Sequence, residues 1–150
     1  MKNKIVKMTW AEIEGLAELI YQQIMKSGNK YKGIYAIPRG GLILAVLLSH
    51  KLNIPMITDF SKSNAGILIA DDILDTGKTA SAFLKERLDS GRQADIAVLV
   101  LNDKCLIKPA YYGAKNRQNI WIQFPWEVNT SDEVSKVNYG IKNGNSKKSK

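Results

Sequence analysis

The stretch Ile67-Leu68-Ile69-Ala70-Asp71-Asp72-Ile73-Leu74-Asp75-Thr76-Gly77-Lys78-Thr79 limits what this chain can fold into more than any other segment. Its first four residues are apolar, with the length and character of a strand buried on both faces of a parallel sheet. Such a strand cannot carry Asp71 and Asp72 in its interior, because removing two like charges from water is prohibitive. Both carboxylates are therefore expected where the strand ends, at the edge where open α/β sheets place ligands. Thr76-Gly77-Lys78-Thr79 then leads into residues 80–88, which read as a helix. The small residues allow a tight turn whose N–H groups face outward at the positive end of that helix, a natural seat for phosphate. Gly77 permits close approach, and the threonine hydroxyls add donors. Carboxylates beside such a cradle suit a ribose phosphate, with the carboxylates on sugar hydroxyls and a divalent cation and the N–H groups on the 5′-phosphate.

A Walker A loop needs G-x-x-x-x-G-K-[ST]. Gly77-Lys78-Thr79 matches its end, but the first glycine would fall at position 72, which is Asp72. A lone Asp-Thr-Gly would be only an acidic turn before a helix, with Asp75 or Thr76 as N-cap. The full arrangement resembles the signature with which type I phosphoribosyltransferases bind phosphoribosyl pyrophosphate. That resemblance implies that Asp71 and Asp72 hold the ribose hydroxyls, directly or through Mg2+. It also implies that Asp75 sits near the base and assists proton transfer, and that the loop from Asp75 through Thr76, Gly77, Lys78 and Thr79 wraps the 5′-phosphate.

At 150 residues the chain is one domain's worth, and 45% hydrophobic with 24% charged residues is ordinary for a soluble globular protein. No apolar run approaches a membrane span, and Met1-Lys2-Asn3-Lys4 opens no long apolar segment, so a cytoplasmic location is expected. The lone Cys105 excludes an internal disulfide and a cysteine-based zinc site of the usual kind, and among apolar neighbours it reads as a core or near-core thiol. Net charge is +8. Part of it lies in Lys142, Lys147, Lys148 and Lys150, within a polar segment over 129–150 that cannot build a core; residues 1–128 are the expected folded domain. Such a tail can touch nucleic acid weakly through phosphates or simply serve solubility. The remaining excess suits polyanionic substrates.

In chain order, Thr9 and Glu12 form a capping-box pattern for a helix over residues 10–26 with Ile13, Leu16, Ala17, Ile20 and Ile24 on one face; Trp10 reads as packing. A short strand over 32–37 leads into Pro38-Arg39-Gly40-Gly41 and an apolar helix over 42–52, a second strand, glycine loop and helix start. Arg39 offers a planar fork suited to phosphate oxygens. In the resembled family this is the pyrophosphate loop, often with a cis peptide, here at Pro38–Arg39. Residues 54–57 are a possible strand. Only nine residues, 58–66, then separate them from the central strand, where catalytic relatives carry a longer mobile flap that excludes water. Residues 95–101 form a further strand. Purine-specific relatives have a lysine just after it that binds the exocyclic oxygen of the base; Lys104 is the nearest match, though the spacing allows Asn102 there. Trp121-Ile122-Gln123-Phe124-Pro125-Trp126-Glu127 resembles the ending of bacterial xanthine–guanine and archaeal purine phosphoribosyltransferases, which implies that Trp121 and Ile122 line the base pocket. The resemblance covers roughly residues 8 to 127.

The expected fold is α/β, a mostly parallel sheet with helices on both faces and a small hood. The expected function is transfer of a phosphoribosyl group from phosphoribosyl pyrophosphate to a 6-oxopurine with Mg2+, in a self-associating protein. The alternative is a non-catalytic sensor of a nucleotide or phosphoribosyl pyrophosphate, raised by the short connection at 58–66.

Overall fold

The computed structural model describes residues 4–61, 63–118 and 120–127. The lysine-rich tail, and the boundary expected near residue 128, lie outside the described residues. Helix α1 (Trp10–Ser27) begins where the capping box puts it: the Thr9 hydroxyl accepts from the Glu12 N–H at 3.2 Å, and Glu12 accepts from the Thr9 N–H at 2.7 Å. It stops at Gly28, whose φ of 74° is a left-handed conformation that glycine adopts without strain. Its inward stripe is Ile13, Ala17, Ile20 and Ile24, with Leu16 half-buried beside them.

Four parallel strands form the sheet in the order β2 (Gly33–Ala36), β3 (Ile67–Leu74), β4 (Ala94–Asn102), β5 (Tyr111–Asn116). Residues 54–57 contribute a single parallel bridge, Ile34 to Met56, on the outer side of β2 rather than a full strand. Pro55 and Ile57 nonetheless exchange backbone hydrogen bonds with Ile34 at 2.9 and 2.8 Å. Chain direction thus diverges at the β2–β3 pair: from β2 the chain steps outward through helix α2 (Gly41–Leu52) to Met56, and from β3 it steps the other way through helix α3 (Lys78–Asp89) to β4. The crevice at the carboxyl ends of two strands whose connections part in this way is the favoured ligand position of an open α/β sheet.

Because β3 is covered on both faces, its residues alternate between two cores. Leu68 and Ala70 pack with α1 and α2, against Ile13, Ile20 and Leu44; Ile67 and Ile69 pack beneath α3, against Ala80 and the half-buried Phe83. The hood is a separate two-stranded parallel sheet, β1 (Ile5–Lys7) with β6 (Trp121–Gln123). Trp10 is half-exposed and packs on Trp126 at 5.7 Å, which in turn stacks on Phe124 at 4.8 Å. Among the described residues, no helix is long and apolar enough to cross a membrane.

The short connection before β3 is fastened from beneath. Arg87, on α3, is 1% exposed and donates to the carbonyls of Ser63, Ala65 and Gln93 at 2.5, 2.7 and 3.2 Å, and weakly to Phe60 at 3.4 Å. Burial holds its guanidinium below the usual arginine range, with Arg92 adding to the effect, so the carbonyls must compensate for lost water. Arg87→Leu takes this donor from the carbonyls of Ser63 and Ala65, while Gln93 keeps the bond from the Ile67 N–H, and should lower stability by about 3 kcal/mol. Urea unfolding measures this; a loss well under 1 kcal/mol would show that the connection holds without it.

Candidate functional site

Three backbone segments converge at the β2–β3 crevice. β2 pairs with β3 only as far as Ala36 opposite Ala70. The Ile37 N–H still donates to the Ala70 carbonyl at 2.9 Å, and the chain then turns through a cis peptide between Pro38 and Arg39. Gly40 and Gly41 are required by closeness: a Cβ on Gly41 would sit 2.3 Å from the Ala70 carbonyl oxygen, and one on Gly40 would sit 1.9 Å from Asp72 Oδ2. The second glycine loop therefore lies directly against the acidic pair, which no spacing argument could have disclosed. Pro38 and Arg39 are exposed.

The central strand departs from expectation. It does not end before the carboxylates; β3 continues through Asp71 and Asp72 to Leu74, with Asp71 opposite Val98 and Ile73 opposite Val100 of β4. The reason is one-sided pairing. Beyond Ala70 only β4 still flanks the strand, so both aspartates are half-buried at an open edge instead of enclosed. Their backbone contacts are local: Asp71 accepts from the Asp72 N–H at 2.9 Å and Asp72 from the Ile73 N–H at 2.7 Å. The cost of this placement falls on Asp71. Its pKa is pushed up to about 7, first by burial and then by the Asp72 charge beside it.

Asp71, Ile73 and Leu74, with the run from Asp75 to Ala80, line a pocket of about 120 Å³. Helix α3 starts at Lys78, and its N-cap is Gly77 at φ 83°, not Asp75 or Thr76, with no capping side chain. The Thr76 hydroxyl instead accepts from the Lys78 N–H at 3.3 Å. A Cβ on Gly77 would lie 2.6 Å from Ile107 and 3.0 Å from the Cys105 sulfur, so the segment after β4 packs against the turn and the thiol is a packing group there. Beyond Lys78, whose N–H meets Thr76, the first-turn N–H groups receive no bond from the Gly77 cap, and beside exposed Thr76, Lys78 and Thr79 they make a turn of the kind suited to an anion.

Asp75 is exposed but anchored: Asn102 Nδ2 donates to its Oδ1 at 2.7 Å. Asn102, the last residue of β4, therefore stands at the site, whereas Lys104 lies exposed in the turn beyond it. Trp121 is 64% exposed on β6 and Ile122 is half-buried beside the α1 core. Asn116 went unnoticed in the sequence; its only signal there is a polar residue at the end of an otherwise unremarkable strand.

No protein-family model matches the chain. It is 28% identical to the xanthine-guanine phosphoribosyltransferase of Idiomarina loihiensis, over 84% of this chain and 89% of that protein. The crystal structure of the purine phosphoribosyltransferase from Pyrococcus horikoshii matches with a TM-score of 0.73 and 29% identity, over 83% of this chain and 95% of that one. The chain has the type I phosphoribosyltransferase fold. The Helicobacter pylori xanthine-guanine-hypoxanthine phosphoribosyltransferase shares this phosphoribosyltransferase fold at a TM-score of 0.71, with 19% identity over 87% of this chain and 99% of that one. The resemblance read from residues 67–79 and 121–127 is thereby borne out.

The raised Asp71 carboxyl makes stability depend on pH in a defined sense. Between 3.8 and about 7 the folded chain keeps a proton that the unfolded chain releases, so stability falls as pH rises through that window. Asp71→Asn removes the cost. The variant should be more stable than the parent at pH 8 by about 2 kcal/mol, partial solvent access screening the charge, and little different at pH 4. Urea unfolding at the two pH values checks this; an equal change at both would contradict it.

Proposed function

We propose that this protein is a purine phosphoribosyltransferase that moves the 5-phosphoribosyl group of phosphoribosyl pyrophosphate onto a 6-oxopurine (guanine, xanthine or hypoxanthine) and releases pyrophosphate. The observation that supports this reading is the packing of Gly40 against Asp72 and of Gly41 against Ala70, which sets the turn after β2 beside the pair of carboxylates, while Asp71 lines a pocket with the turn from Asp75 to Thr79. One cradle, residues Asp75 to Thr79, suits a 5′-phosphate; the other, Pro38 to Gly41 with the Arg39 fork, suits pyrophosphate. Asp71 and Asp72 lie between them, where ribose hydroxyls would fall. Trp121 and Ile122 offer an apolar wall for the base, with Lys104 or Asn102 as the group that meets its exocyclic oxygen.

Mg2+ fits this donor set. The described residues hold no group of three side chains able to hold a metal, but two half-buried carboxylates that also repel one another are what a hard cation needs when substrate oxygens complete its shell. Bound there by Asp71 and Asp72, it would offset the charge of the pyrophosphate group. The chain's own residues do the rest. The two cradles hold the ribose phosphate at both ends, which orients the anomeric carbon toward the base, and Asp75 takes the proton that the imidazole nitrogen of the purine loses. A cytoplasmic location and self-association accompany this reading.

A sensor without turnover is not favoured, because the relatives named above carry the names of phosphoribosyltransferases and the match to them spans most of their length. The test is pyrophosphate release with guanine, xanthine, hypoxanthine and adenine in turn. Release is expected with at least one 6-oxopurine and Mg2+ present; binding of guanosine monophosphate with no turnover of any base would overturn the reading. Asp75→Asn should slow turnover by about 10² while nucleotide binding stays largely intact. Unchanged turnover would remove Asp75 from the proton transfer.

A further inference from the structure

The reading above uses Asp75 and names Asn102 only as an alternative to Lys104 at the base; it does not use the bond from Asn102 to Asp75, and it leaves Asn116 without a role. Asn102 and Asn116 end the adjacent strands β4 and β5, are register partners, and are 8% and 7% exposed. With Arg87, they are the buried polar or charged side chains among the described residues.

Their amide directions follow from one fixed point. The backbone of Ile120 can only donate through N–H and accept through C=O. Its N–H donates to Asn116 Oδ1 at 3.2 Å, and its carbonyl accepts from Asn116 Nδ2 at 2.8 Å. Asn116 therefore cannot be turned over without setting donor against donor and acceptor against acceptor. Its nitrogen also faces Asn102 and must meet an acceptor, which is Asn102 Oδ1 at 2.8 Å. That commits the oxygen of Asn102, so its Nδ2 points to Asp75 Oδ1 at 2.7 Å. Apart from the return bond from Asn116 Nδ2 to the Ile120 carbonyl, the links run one way, from the Ile120 N–H through Asn116 and Asn102 to the Asp75 carboxylate, through neutral amides.

We propose that Asn116 and Asn102 are positioning residues: a one-way amide relay that holds the Asp75 carboxylate in orientation as an acceptor and ties it to the segment that begins at Ile120. The proposal rests on the reading of Asp75 as the proton-accepting group. A base that settles against Trp121 and Ile122 would thereby share a rigid support with the group that takes its proton. Low exposure matters at the central link, where the Asn116–Asn102 bond is buried and water is kept from replacing it.

Asn102→Asp keeps the shape and still accepts from Asn116, but it sets an acceptor against Asp75. Asn116→Asp keeps the bond from the Ile120 N–H and loses both donations. Each should lower kcat by about tenfold or more while KM for phosphoribosyl pyrophosphate stays within about twofold. In the Asp75→Asn background Asn102→Asp should add nothing, since both act through one group. Unchanged kcat, a parallel rise in KM, or a full multiplicative loss in the double variant would overturn the relay. A second readout does not depend on turnover. In the labelled full chain, Asp75→Asn should move the side-chain amide signals of Asn102 and Asn116 and the backbone N–H signal of Ile120, which does not touch Asp75. Signals at Asn116 and Ile120 that stay in place would refute it. Should the unsubstituted protein release no pyrophosphate, the transfer reading fails on its own, and these signals still decide the relay.

Discussion

The uneven ending of two neighbouring strands governs this molecule. β2 stops at Ala36, opposite Ala70, while β3 runs four residues further along β4. One strand edge is thereby left open within an otherwise paired sheet, and into that opening come the turn after β2 and the turn after β3. Had β2 continued alongside, Asp71 and Asp72 would be enclosed between strands, at a large desolvation cost. With β2 absent, they are half-buried, and one of them carries a carboxyl whose pKa is pushed up to about 7. The fold tolerates this repulsion at the place where a cation and a sugar would relieve it, as functional sites commonly do.

Much of this could be read in advance, and for physical reasons. The apolar run at 67–70 could only be a buried strand, and Gly77 before Lys78 could only serve a tight turn, so the order of strand, acid pair, cradle and helix was legible. So was the capping box at Thr9 and Glu12, because it is written within four residues. The length of β3 was not. A local pattern sees two aspartates and ends the strand; it cannot see that a different strand has already ended beside them. The edge position of Met56 and the packing of Gly40 against Asp72 escaped for the same reason, since both depend on partners far apart in the chain.

Asn102 and Asn116 mark the limit of motif reading most clearly. A search for a base-reading cation points to Lys104, which lies exposed in a turn. The residue that reaches Asp75 is a neutral amide two positions earlier, held by a second amide fourteen residues on. Arg87 makes a similar point on the opposite face. The connection at 58–66 reads as nine unremarkable residues, yet its carbonyls converge on one buried guanidinium that anchors it to α3. A short, fastened connection and a site oriented by buried amides describe a crevice built with little slack.

The central claim is that this crevice grips a phosphorylated pentose by its two ends. Calorimetric titration with phosphoribosyl pyrophosphate in the presence of Mg2+ tests it most directly, compared with the same titration of ribose. Saturable binding of the phosphorylated sugar, weakened when Asp71 and Asp72 are both replaced by Asn and absent for ribose, is the predicted result. A protein that takes up neither compound, or binds both alike, would contradict the account.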